Sequence, residues 1–136
     1  MRQFTLKIVT PDGLIYTGQA QMITVPAITG ELGIQAGHCN MVAPLGMGQA
    51  MIRVDDAARY AACIGGVVSV VSGVVTLIPT TFEWAEQIDV IRAETSEQRA
   101  QKVLEDKKAT VTETAMAEAR LKRAKVRMHV AAYKPK

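Results

Sequence analysis

Arginines late in the chain have the spacing to do chemistry. Arg92 and Arg99 are seven residues apart, and Arg120, Arg123 and Arg127 follow at i, i+3 and i+7. On helices, each set would occupy one face. A guanidinium is permanently charged, and its paired donors match two oxygens of a phosphate or carboxylate. If the two faces met, four or five such groups would converge, an arrangement that repels itself unless an anion lies between them. Asp89 falls near the expected start of the first helix, where a carboxylate meets the positive end of the helix dipole. Asp89 or Glu83 could then accept a hydrogen bond from an amine or a ribose hydroxyl of the same ligand. The competing reading of this spacing is a solvated, charged helical face.

Other chemistries find no support. The chain has no Gly-x-x-x-x-Gly-Lys-Ser/Thr loop, no Gly-x-Ser-x-Gly and no His-Glu-x-x-His. His38 and His129 are its two histidines. His38 adjoins Cys39 but has no third ligand near in sequence, so it reads as a loop histidine. His129 closes a basic helical stretch, where a cation complements the dipole. Cys39 and Cys63 form no Cys-x-x-Cys and read as free thiols in a reducing compartment. With no defensible nucleophile–base pair, the chain is expected not to be an enzyme and to require no cofactor. A basic helical hairpin that binds nucleic acid is the alternative. Such a module would interleave aromatics or asparagines with its basic residues, yet Thr110 to Ala131 holds no Phe, Trp, Tyr, Asn or Gln.

The elements that would position these residues fall into two groups. The first 80 or so residues read as short strands. Phe4, Leu6 and Ile8 alternate with Thr5 and Lys7, the period of a half-buried strand. Pro11-Asp12-Gly13 makes a turn, and Leu14-Ile15-Tyr16 resumes extended structure. Met22 to Val25 is a strand stopped by Pro26, and Gly30-Glu31-Leu32-Gly33-Ile34 makes a tight return. Met51 to Val54, Asp55-Asp56 and Tyr60 to Ile64 make a hairpin. Gly65-Gly66, Val67 to Val71, Ser72-Gly73 and Val74 to Ile78 make another. Many short strands so punctuated indicate a sandwich or barrel. Tyr60 to Phe82 carries no charge, but its glycines, serines and Pro79 suit short buried strands better than a membrane span.

After Pro79, Gly and Pro cease until Pro135, and from about Ile88 the chain is rich in Ala, Glu, Gln, Lys and Arg. Val90 and Leu104 share one stripe, interrupted at Glu97; Ala93, Ala100 and Leu104 make a second, thin one. Asp106-Lys107-Lys108 is the expected connection to a helix from about Thr110 to Ala131, whose seam is Ala117, Leu121, Ala124 and Met128. The fold expected is β + α: an N-terminal antiparallel β-sandwich over residues 1–86, then a C-terminal antiparallel two-helix hairpin over 87–136. Charge divides in the same place. Residues 1–87 hold four Lys/Arg against six Asp/Glu, a net −2, while residues 88–136 hold twelve against seven, a net +5. An acidic partner or an anionic ligand suits the second part. The opening MRQFTLKIV lacks a signal-like apolar run, so an untargeted, cytoplasmic chain is expected.

Gly30-Glu31-Leu32-Gly33-Ile34 followed by Gly37-His38, the opening Val9-Thr10-Pro11-Asp12-Gly13, and Gly65-Gly66 before an apolar strand resemble the epsilon subunit family of bacterial F-type ATP synthases. The resemblance covers essentially the whole chain. It implies a non-catalytic rotor subunit, peripheral at the cytoplasmic face of the bacterial plasma membrane and associated with the membrane only through the complex. The sandwich would bind the gamma subunit and the c-ring. The hairpin would switch between a folded state and an extended state that inhibits ATP hydrolysis, its basic second helix meeting the alpha and beta catalytic subunits. Some members bind ATP as a regulatory ligand in the folded hairpin through Ile/Leu-Asp-x-x-Arg-Ala. Ile88-Asp89-Val90-Ile91-Arg92-Ala93 matches that motif, and Glu83, Arg99, Arg123 and Arg127 fall at positions that resemble its other ligands. The bulk of Phe82 and Trp84 and the polar Thr95, Ser96 and Gln98 depart from the family pattern.

Overall fold

The structure, a computed structural model, describes residues 2–133. The chain divides between Trp84 and Ala85 into two compact units. The first is a β-sandwich made from one folded sheet. Its strands are β1 (Phe4–Thr10), β2 (Gly13–Ala20), β3 (Met22–Ala27), β4 (Gly30–Gln35), β5 (Met41–Pro44), β6 (Met47–Val54), β7 (Ala57–Val71) and β8 (Val74–Trp84). They are ordered β2-β1-β8-β7-β6-β3-β4, with β5 also on β7. One pair departs from the antiparallel expectation: β1 runs parallel to β8, with Thr5 opposite Val74. A parallel pair needs a long crossover, and six intervening strands supply it.

The period-two pattern turns one side of each strand inward. Phe4, Leu6 and Ile8 of β1, Ile23 and Val25 of β3, and Val75 and Leu77 of β8 are all buried in one core. Apart from Phe4, Phe82 and Trp84 the buried part of that core is aliphatic or Cys63. Phe82 and Trp84 meet edge to face at 5.0 Å, and the Arg59 guanidinium lies 3.8 Å from the centre of the Trp84 ring, a cation–π contact.

Two of the expected hairpins are built on two-residue turns. Asp55 and Asp56 have φ of 52° and 62°, and Ser72 and Gly73 have 50° and 81°. Positive φ at both central residues is the type I′ geometry that matches strand twist. Asp56 is further held by the buried Gln21, whose Nε2 donates to Asp56 Oδ1 (3.1 Å) while Oε1 accepts from the Asp56 N–H (2.8 Å).

Two punctuation marks do not end strands. Pro26 lies inside β3, opposite Glu31 of β4. The other side of β3 pairs with β6 only over Met22 to Thr24, so the missing N–H breaks no bond on that side. Gly65-Gly66 lies inside the fifteen-residue β7. There β7 exchanges partners: Ile64 pairs with Met47 of β6, and Val67 with Pro44 of β5. Both glycines have positive φ. A Cβ on Gly66 would stand 2.7 Å from the Pro79 Cα, so the close crossing of β7 and β8 admits no side chain at that position.

Cys63 is buried in the core, and burial pushes its thiol up from 9.0 to about 12, whereas Cys39 is exposed. The native chain at neutral pH should therefore take up one equivalent of an aromatic disulfide reagent, and a second only in denaturant. Two native equivalents would contradict the burial. The stability consequence has a definite sign. The unfolded thiol ionises near 9.0 and the folded one near 12, so stability fully present below the lower value is lost as pH rises through the interval. Cys63→Ala should remove that part of the alkaline loss in denaturant titrations.

Candidate functional site

The second unit opens with a 3-10 turn, Ala85–Gln87, and the Ile88 N–H donates back to the Ala85 carbonyl at 3.3 Å. The first helix, α1, spans Val90–Glu105, two residues later than Ile88. Asp89 sets that start. Its backbone is extended (φ −83°, ψ 100°) and its carboxylate accepts from the Arg92 N–H at 3.0 Å, while its own carbonyl accepts from the Ala93 N–H. A side chain that satisfies an orphan N–H of the first turn stabilises the helix by about 1 kcal/mol, and it does so only from outside the helix.

The connection is closed by Asp106, whose Oδ1 accepts from the Lys108 N–H at 2.9 Å and whose carbonyl accepts from the Ala109 N–H at 3.2 Å. The second helix, α2, spans Val111–Ala131. Thr110 caps it by accepting from the Glu113 N–H at 3.0 Å, and Thr110-Val111-Thr112-Glu113 has the sequence of a capping box.

Between α1 and α2 lies a cleft of about 770 Å³. α1 lines it with Arg92, Thr95, Ser96, Arg99, Ala100 and Val103, and α2 with Glu113, Met116, Ala117 and Arg120. Its apolar lining is Ala100 and Val103 of α1 with Met116 and Ala117 of α2; Ala93 and Ala124 are buried nearby in sequence on the same helices. Leu121 and Met128, expected in the seam, are half-buried, as are Val90 and Leu104. The rim is cationic: Arg92, Arg99 and Arg120 are exposed. Among the described residues no carboxylate lies within ion-pair distance of any of the three. The Thr95 hydroxyl donates to the Ile91 carbonyl at 2.9 Å.

The residues expected to bind a ligand are thus distributed. Arg92 and Arg99 share the cleft. Asp89 is the helix cap, and Ile88 and Ala93 are buried beside it in sequence. Arg123 and Arg127 are half-buried on α2 and do not line the cleft. Glu83 belongs to the sandwich unit, on β8 opposite Ala62. Arg120 was legible as one face with Arg123 and Arg127, but its place in the cleft was not. Ser96, four residues from Arg92, and Glu113, seven from Arg120, also line the cleft. Lys134 and Lys136, part of the basic excess, lie outside the described residues.

Elsewhere, His38 Nδ1 is 2.9 Å from the Cys39 carbonyl and 3.9 Å from the Cys39 Sγ. Among the described residues no group of three or more His, Cys, Asp or Glu side chains could hold a metal ion.

Comparison with known proteins supplies context. A family model described as the beta-sandwich domain of the ATP synthase delta/epsilon chain matches residues 3–85, and one described as its long alpha-helix domain matches residues 86–132. The chain is 38% identical over 131 residues to an ATP synthase epsilon chain of Bacillus pumilus, covering 96% of this chain and 98% of that one. It is 39% identical over 130 residues to that of Bacillus cytotoxicus, covering 96% and 97%. Its fold resembles a chain in the Euglena gracilis mitochondrial ATP synthase, with a TM-score of 0.83 at 21% identity, over 96% of this chain and 82% of the other. A chain of the Tetrahymena thermophila mitochondrial ATP synthase central stalk and c-ring gives 0.66 at 16%, over 96% and 97%.

The two roles open to Asp89, cap and ligand, can be separated. Asp89→Ala should lower the stability of the helical unit by about 1 kcal/mol, read as earlier loss of helical circular dichroism in urea. Asp89→Asn should cost much less, because an amide oxygen still accepts from the Arg92 N–H. Equal losses would show that the carboxylate charge, not the capping bond, holds the helix start.

Proposed function

The chain belongs to the ATP synthase delta/epsilon chain family, as an epsilon chain, and from that premise we propose that its hairpin is a regulatory element that binds ATP when folded and inhibits ATP hydrolysis when extended. The chain itself is non-catalytic. Its sandwich binds the gamma subunit and the c-ring, and its hairpin reaches the alpha and beta catalytic subunits in the extended state. It is peripheral on the cytoplasmic face of the plasma membrane and attached through the complex. No helix among the described residues is long and apolar enough to cross a membrane.

One observation carries the ATP reading: Arg92, the arginine of Ile88-Asp89-Val90-Ile91-Arg92-Ala93, shares a cleft with Arg99 and Arg120, and no carboxylate among the described residues pairs with any of them. Like charges held together without counter-ions bind an anion in preference to one another. The volume, about 770 Å³, is in the range of small-molecule sites, roughly 300–1,000 Å³. Asp89 contributes by fixing where α1 begins, and so where Arg92 projects. Ile88 and Ala93, both buried, complete the motif on either side of Asp89 and Arg92.

Calorimetric titration of the full chain with ATP tests the reading. The wild type should release heat, and Arg92→Ala should weaken binding by about 10-fold or more, the loss of one charge-assisted hydrogen bond to phosphate. Absence of heat in the wild type at millimolar ATP would remove ATP sensing and leave the family assignment intact. The regulatory half is tested separately. Ending the chain before Ile88 should raise ATP hydrolysis by the assembled synthase; unchanged hydrolysis would mean the hairpin does not inhibit.

A further inference from the structure

The last rung of the sandwich before the helical unit is held from beyond the end of its own strand. β8 ends at Trp84, which pairs with Ala61 of β7. Ala57 to Tyr60 of β7 pair with β6 and with no described residue of β8, because the chain has by then turned into the 3-10 segment Ala85–Gln87. An end rung has a neighbouring rung on one side only, and strand ends are where local opening begins. Trp84 nevertheless belongs to the buried core. Phe82 packs on it edge to face at 5.0 Å. Arg59 covers it from the vacated side, its guanidinium carbon 3.8 Å from the ring centre. Arg59 stands two residues before the core residue Ala61, so its side chain leaves β7 on the core side. It is exposed, so the cation meets the ring without giving up water.

We propose that Arg59 is a positioning residue for the regulatory hairpin: its stack on Trp84 ends the sandwich at a fixed point and confines the joint to Ala85–Asp89. The proposal rests on the reading of the hairpin as a mobile, inhibitory element and adds what anchors it. The joint is short. Ala85–Gln87 is a single 3-10 turn, the Ile88 N–H donates back to it, and Asp89 is already the cap of α1. Such a segment leaves the hairpin few directions in which to depart. Opening of the last two rungs, Ala61 with Trp84 and Ala62 with Glu83, would add Glu83 and Trp84 to the free segment, each lengthening it by up to about 3.3 Å. A tether longer than the span it must cover lowers the effective concentration of the hairpin at a partner's site. Loss of the stack therefore weakens inhibition without altering any residue of the hairpin.

Trp84 is the chain's one tryptophan, so the full chain reports on the stack through its own emission. Arg59→Ala should red-shift that emission and open it to acrylamide quenching. Arg59→Lys, which keeps a cation for the ring, should recover part of the change, and Arg59→Gln none. Cys63 should stay unreactive in each native variant, showing that the sandwich remains folded. In the assembled synthase Arg59→Ala should raise ATP hydrolysis by about 2- to 5-fold, the bias of one cation–π contact at an exposed site, and Arg59→Lys by less. In a chain that already ends before Ile88, Arg59→Ala should raise hydrolysis no further, whereas a general weakening of the sandwich would act with or without the hairpin. Trp84 emission and quenching unchanged in Arg59→Ala would overturn the anchor. An exposed Trp84 with hydrolysis still held at the wild-type level would overturn its regulatory role. If ending the chain before Ile88 itself leaves hydrolysis unchanged, the inhibitory reading fails and the positioning role fails with it, whatever the emission shows.

Discussion

Methyl groups line the contact between the two helices. Where other hairpins bury leucines, α1 and α2 bury Ala93, Ala100, Ala117 and Ala124. At about 0.8 kcal/mol per buried carbon group, four such side chains contribute on the order of 3 kcal/mol, before the entropy of ordering is counted. A ligand present at about 100 times its Kd stabilises the state it binds by about 2.7 kcal/mol. The two quantities are of the same size. An anion bridging the helices can therefore decide whether they stay together, which it could not do against a seam of full-sized side chains. The small seam has a second effect. Alanine leaves the space beside it open, and that space is the cleft on whose rim the three arginines stand.

The sandwich is built on the opposite principle. Its core is β-branched and aliphatic, closed by Phe4, Phe82 and Trp84, and the buried Gln21 is bonded to the turn it supports. The close crossing at Gly66 leaves no room for adjustment. Such a unit suits a platform with fixed faces, while local opening is drawn from parts with few buried apolar contacts. The charge division follows the same line: the cationic excess lies in the unit with the weaker core.

Period-two alternation made the strands legible, and the aspartates and Ser72-Gly73 made their hairpins legible, because both signals are local. What was not legible depends on partners. Pro26 reads as a stop only if its N–H is needed, and in β3 that is decided by where β6 ceases to pair. Gly65-Gly66 reads as a break, but the strand continues through it and changes neighbours. The parallel pairing of β1 with β8 has no local signature at all. In the hairpin, spacing showed that Arg120, Arg123 and Arg127 share a face. It could not show that only the first of them reaches the cleft, because that depends on which part of α2 lies opposite Arg92 and Arg99. The short connection at Asp106 and the Thr110 cap settle that alignment.

The start of α1 links these observations. An aspartate followed three residues later by arginine reads as a binding motif, and it reads equally as a helix cap. In the structure the capping bond is made to the backbone N–H of Arg92 itself. Cap and cleft arginine are therefore coupled: the bond that ends the extended segment at Asp89 is made to the residue that carries the first cation of the cleft. Arg92, Ser96 and Arg99 then follow at about one-turn intervals along one stripe of α1. An aspartate at this position thus acts on the cationic stripe through the backbone, by fixing where the helix that carries it begins.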